Sequence, residues 1–112
     1  MKTLCKIRSL CRAITAFEKE MERVCHLSLN EGMLLCILSN EKLMTSGEIA
    51  EALDLTPSNT SKIIRSLEQK GFLHRDLGNQ DKRQMYFSLT DAGTRQLDVI
   101  HSDELQIPDL LK

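Results

Sequence analysis

Apolar residues recur every three to four positions over the first two dozen residues of the chain. Leu4, Ile7, Leu10, Cys11, Ile14, Phe17, Met21 and Val24 form one stripe, with Lys6, Arg8, Arg12, Glu18, Lys19, Glu20, Glu22 and Arg23 mostly off it. That period predicts a single helix over residues 3–25. At 1.5 Å per residue it would be roughly 33 Å long, more than so small a domain needs to cover its own core. The stripe through Leu4, Ile7, Cys11, Ile14 and Met21 is therefore expected to pack on a second copy, with Leu97 and Ile100 of the last helix joining it.

Two capping boxes follow. Ser28 with Glu31 opens a helix that carries Met33, Leu34, Ile37 and Leu38 and ends near Ser39-Asn40; Thr45 with Glu48 opens a short one that buries Ile49, Ala50 and Leu53. Asp54-Leu55-Thr56-Pro57 is a turn into another helix, with Thr56 as N-cap and Pro57 at the first helical position. This helix runs to about Lys70, and Gly71 ends it in the left-handed region. Beyond Gly71 the period drops from 3.6 to 2. Residues 72–77 and 84–89 alternate like strands, and the polar run Gly78-Asn79-Gln80-Asp81-Lys82-Arg83 between them makes a hairpin turn. Thr90-Asp91-Ala92-Gly93 opens a last helix, with Leu97 and Ile100 inward, that must stop by Pro108.

Helix, short helix, turn, helix, hairpin is the order of a winged helix-turn-helix, mainly α with a small β-hairpin wing. The expected layout is one domain over residues 1–112: a dimerisation helix over 1–26, a lobe over 28–89, and a second dimerisation helix over 90–112.

With 112 residues, one domain is the natural expectation, and a chain this short gains from dimerisation. The aromatic residues are Phe17, Phe72, Tyr86 and Phe87, so the core must be built from Leu, Ile and Met. No apolar run approaches the roughly 18 residues of a membrane span. Lys6, Arg8 and Arg12 break any signal-peptide core, so a cytoplasmic protein without a membrane partner is expected. Cys5, Cys11, Cys25 and Cys36 form no C-x-x-C pair, and buried structural thiols are the expectation. Cys25-His26 with His101 and Glu104 lacks metal-ligand spacing, so neither metal nor cofactor is expected. No nucleophile elbow, phosphate loop or H-E-x-x-H run is present, and the chain does not read as an enzyme.

Charge directs attention to one segment. From Thr56 to Tyr86 the cations Lys62, Arg65, Lys70, Arg75, Lys82 and Arg83 face only Glu68, Asp76 and Asp81, three charges positive within a chain of net −1. The helix beginning at Pro57 turns Ile63, Ile64 and Leu67 to one face. Its other face shows Ser58, Asn59, Ser61, Lys62, Arg65 and Gln69, hydrogen-bonding side chains with two cations and no acid. That mixture suits base edges and phosphates of duplex DNA. Ser46, at the start of the short helix, joins the candidate contacts. The rival use of such a domain is protein–protein contact, as an adaptor that does not bind DNA.

The stretch from Leu29 to Leu97 resembles the MarR family of bacterial winged-helix transcription regulators. The resemblance rests on Leu53-Asp54-Leu55-Thr56-Pro57-Ser58-Asn59-Thr60-Ser61-Lys62, Leu67-Glu68-Gln69-Lys70-Gly71-Phe72-Leu73-His74-Arg75, Asp81-Lys82-Arg83 and Leu89-Thr90-Asp91-Ala92-Gly93. It implies a homodimer that binds a pseudo-palindromic operator, usually as a repressor. It implies that Ser58, Asn59, Ser61 and Lys62 meet the major groove, that Arg83 enters the minor groove steadied by Asp81, and that Arg75 and Lys82 touch phosphates. A small effector, phenolic or of another kind, is implied as well. The chain departs from the family pattern in three places: Arg65 stands where many members carry an acid, Gly78-Asn79 replaces Asp-Pro, and only residues 91–112 follow Thr90. A cysteine early in the first helix, Cys5 or Cys11, resembles the peroxide-sensing branch; that branch surrounds its cysteine with tyrosines, and this chain has only Tyr86.

Overall fold

The computed structural model describes residues 2–77, 85–102 and 104–112. Five α-helices and three short strands follow in the order α1 (Lys2–Cys25), α2 (Leu29–Glu41), β1 (Met44–Thr45), α3 (Ser46–Leu53), α4 (Pro57–Gln69), β2 (Leu73–Leu77), β3 (Met85–Leu89) and α5 (Asp91–Ile100), with a 3₁₀ turn at Asp109–Leu111. The fold is a winged helix-turn-helix.

Side-chain caps start four of these helices. Ser28 Oγ accepts the Glu31 N–H at 3.2 Å while Glu31 Oε1 accepts the Ser28 N–H at 2.9 Å. Thr45 and Glu48 repeat the exchange at 3.2 and 2.8 Å. Thr56 Oγ1 takes the Asn59 N–H at 3.1 Å, with Pro57 in the first turn, and Thr90 Oγ1 takes the Gly93 N–H at 3.0 Å. Each bond satisfies a donor that the helix itself leaves open.

The sheet is antiparallel in the order β1-β3-β2. Arg75 stands opposite Phe87 and Leu73 opposite Leu89, while Met44 of β1 pairs with Phe87 from the other side. Strand β1 is an addition to the expected hairpin: two residues cannot display a period, and Thr45 already serves as a helix cap. Gly71 adopts φ of +81°, the left-handed end expected for α4. Gly93 answers a different need. A Cβ there would overlap the carbonyl oxygen of Phe72, because α5 runs hard against the start of the wing. Gly93→Ala should accordingly lower unfolding stability by about 1–3 kcal/mol, measured by urea titration, since backbone must shift to admit the methyl group.

The core is aliphatic, as the composition requires. Leu27, Leu34, Leu35, Leu38, Ile49, Ile64, Leu67, Leu73 and Phe87 are buried together with Met21, Leu97 and Ile100. Those last three correct an expectation: they pack inside their own chain and leave little surface for a second copy. The first half of α1 behaves differently. Leu4 is 69% exposed, Ile7 48% and Ile14 37%, and Cys11 is also exposed. Because α1 projects beyond the body, the molecule measures 52 × 31 × 21 Å.

The C-terminal segment is not one helix over 90–112. Helix α5 ends at Ile100, where Ser102 Oγ bonds back to the Val99 carbonyl at 2.6 Å. The chain then turns back along α1: Leu105 is buried, the Gln106 N–H reaches Glu20 Oε1 at 3.4 Å, and the 3₁₀ turn packs against α1. Among the described residues no helix is long and apolar enough to cross a membrane.

Candidate nucleic-acid interface

Helix α4 carries the candidate surface, and its amphipathic pattern fixes its roll. Thr60, Ile64 and Leu67 are buried and Ile63 is half-buried, which leaves Ser58, Asn59, Ser61, Lys62 and Arg65 exposed. None of these five side chains makes a hydrogen bond or ion pair among the described residues. Its first turn carries no acid. Ser46 is likewise exposed at the start of α3, which packs on α4.

The far end of α4 is bound on both flanks. Ser66 Oγ donates to Glu31 Oε2 at 2.7 Å, and Lys70 Nζ reaches the same carboxylate at 3.0 and 3.2 Å. Glu31 is only 7% exposed, and burial alone would raise its pKa. The Ser28 N–H, the Ser66 hydroxyl and the Lys70 ammonium outweigh that, and they hold the carboxyl below its ordinary range. On the other flank, Glu68 of α4 accepts Arg75 Nε at 3.0 Å and Nη2 at 2.7 Å, and the guanidinium lies 5.4 Å from the centre of the Phe87 ring. Glu68 also raises the Arg75 pKa.

The cations of the segment thus divide. Lys70 and Arg75 are tied to carboxylates, whereas Lys62 and Arg65 are free among the described residues. Arg75 spends two of its donors at the root of the wing, so it is first a strut between β2 and α4, which the expected phosphate contact left out. Arg65 pairs neither with Glu68 nor with any other described residue; Asp81, the other acid the sequence offers it, lies outside them. Lys82, Arg83 and Asp81, the expected wing-tip contacts and their orienting acid, lie outside the described residues.

In the sequence Glu31 reads only as a cap. Its second role joins residues 35 and 39 positions apart, a separation no local pattern reports. Ser66 and Lys70, four apart on one side of α4, were the available hint. The thiols also differ from expectation. Cys25 alone is buried, its pKa pushed up by burial and by Glu104, while Cys5, Cys11 and Cys36 are exposed. Among the described residues no cluster of His, Cys, Asp and Glu could hold a metal ion.

Residues 27–85, from the α1–α2 elbow to the start of β3, match the family model described as MarR family. The chain belongs to the MarR family. It is 27% identical over 84 residues to the uncharacterized HTH-type transcriptional regulator YwhA of Bacillus subtilis, 75% of this chain and 60% of that protein. A stretch of 54 residues is 41% identical to YkoM of the same organism, also an uncharacterized HTH-type transcriptional regulator; it covers 48% of this chain and 35% of that protein. The matches therefore span less than two thirds of the length of these relatives. Among solved structures, the S. aureus MepR–DNA complex aligns with a TM-score of 0.69 at 22% identity, over 90% of this chain and 81% of that one. The transcriptional regulator BldR from Sulfolobus solfataricus aligns with a TM-score of 0.78 at 22% identity, over 89% and 72%. At such identities the likeness bears on the fold alone.

Proposed function

We propose that this MarR-family chain is a sequence-specific double-stranded DNA-binding transcriptional regulator, a repressor that works in the cytoplasm as a homodimer on a pseudo-palindromic operator. One observation carries the reading: α4 is anchored by its buried face and its last turn, while Ser58, Asn59, Ser61, Lys62 and Arg65 stand exposed without partners among the described residues. A rigid helix with uncommitted donors, acceptors and cations fits the major groove. Ser46, Arg75 and Lys82 serve phosphates, and Arg83 with Asp81 the minor groove. A dimer seated on an operator represses by occupying it.

The exposed half of α1 supplies the dimer contact through Leu4, Ile7, Cys11 and Ile14. A small apolar effector, phenolic or similar, has room in the cleft of about 190 Å³ between Phe17, Met21, Leu29, Met33, Leu97 and Ile100.

Titration of a labelled duplex from the region upstream of the chain's own gene, at rising salt, tests the reading. Affinity should fall log-linearly with salt, by about 0.9 log units per log unit for each phosphate engaged. No binding in dilute salt would favour the adaptor. Within this assay, Lys62→Ala should weaken all sequences alike and lower the slope by about one. Asn59→Ala should cost about 1–3 kcal/mol on the preferred site and relax base preference, read by selection from random duplexes.

A further inference from the structure

The elbow between α1 and α2 is three residues long and is held from several sides. Leu27 is wholly buried, and His26 takes a left-handed φ of 58°, a costly conformation for a residue with a side chain. The His26 carbonyl accepts from Lys70 Nζ at 2.9 Å, and the Cys25 carbonyl accepts from Gln96 Nε2 of α5 at 3.0 Å. The same ammonium continues to the carboxylate of Glu31, which also receives Ser66 of α4 and the Ser28 N–H. One lysine therefore connects the end of the reading helix, the cap of α2 and the backbone from which α1 departs.

We propose that Lys70 and Glu31 are positioning residues that set the angle between α1 and α4, and thereby the spacing at which a dimer presents its two reading helices. The proposal rests on the DNA-binding dimer put forward above. Helix α1 acts as a lever. At 1.5 Å per residue it is roughly 36 Å long, so a tilt of about 10° at the elbow moves its far end by about 6 Å. Such a displacement is large against the roughly 34 Å between successive major-groove faces. The Glu68–Arg75 pair cannot supply this control, because it joins α4 to the wing and not to α1. Lys70 can, since one ammonium is shared between the two.

Duplexes with two preferred half-sites at centre-to-centre spacings from 8 to 13 base pairs, and one with a single half-site, test this on the full chain. The wild-type protein should favour one spacing at least tenfold over those two base pairs away. Lys70→Met keeps the apolar stem of a side chain about one-third exposed, and Glu31→Gln keeps the cap acceptor. Both should retain dimer mass and single-half-site affinity within twofold, while the spacing preference drops below threefold. Lys70→Arg should restore it. A wild-type spacing ratio in both variants overturns the proposal, as does a parallel loss at single half-sites, which would mark a local structural role. A wild-type chain indifferent to duplex DNA at any salt overturns the DNA-binding reading itself, and the proposal with it.

Discussion

Glu31→Ala should lower unfolding stability by about 2–4 kcal/mol, the sum of a lost cap and of charge-assisted bonds between helices. The substitution leaves the Ser28 N–H and the Ser66 hydroxyl without their acceptor. Lys70 is about one-third exposed and can rehydrate, which keeps the loss below that of a fully buried pair. Urea melts at neutral pH measure the effect, and a loss under 1 kcal/mol would remove Glu31 from the scaffold. The same carboxylate makes stability depend on pH in a definite direction. Its pKa in the folded protein lies below the ordinary 4.5. The folded state therefore favours the ionised form, and this contribution is complete above the unfolded value. It fades as pH falls through the folded one. From neutrality down to about pH 5 it should stay constant, and in more acid solution it should be lost. Glu31→Gln, with no carboxyl to protonate at this position, should show a shallower acid decline than the wild-type chain.

Local chemistry made most of this fold legible. Ser28, Thr45, Thr56 and Thr90 each declare a helix start through a side chain that bonds within three residues, and Gly71 declares an end through a conformation few other residues accept. The change of period after Gly71 marks the wing because side chains in a strand alternate between faces. Pairings over distance were hidden. Lys70 and Arg75 entered the sequence reading as free cations, yet each is committed to a glutamate that only the packing of α4 brings close. The long stripe of α1 has the period of one surface although it serves two. Met21 and Cys25 anchor it in the core of its own chain, and Leu4, Ile7 and Ile14 stay outside. A helical period identifies a face but not what covers each stretch of it. The end of α5 was missed for a related reason: Pro108 sets a latest stop, whereas Ser102 and the return of the chain along α1 set the actual one.

That division of α1 makes Ile14→Glu the most consequential change to be expected for function. Ile14 is 37% exposed and close to the midpoint of the helix, so the isolated fold should tolerate the new carboxylate at little cost. Ile14 continues the exposed apolar stripe of Leu4, Ile7 and Cys11 that the dimer proposed above covers. Each copy would then carry a carboxylate into an apolar seam, and both desolvation and repulsion oppose the contact. Sedimentation should find monomers with an unchanged circular dichroism spectrum. Binding to a two-half-site duplex should fall by about 10²–10⁴, the effective-concentration advantage of a second linked head, while affinity for a single half-site stays as before. An intact dimer at micromolar concentration would place the self-contact elsewhere on the molecule. A monomer that still grips the full operator at wild-type affinity would show that one reading head is sufficient.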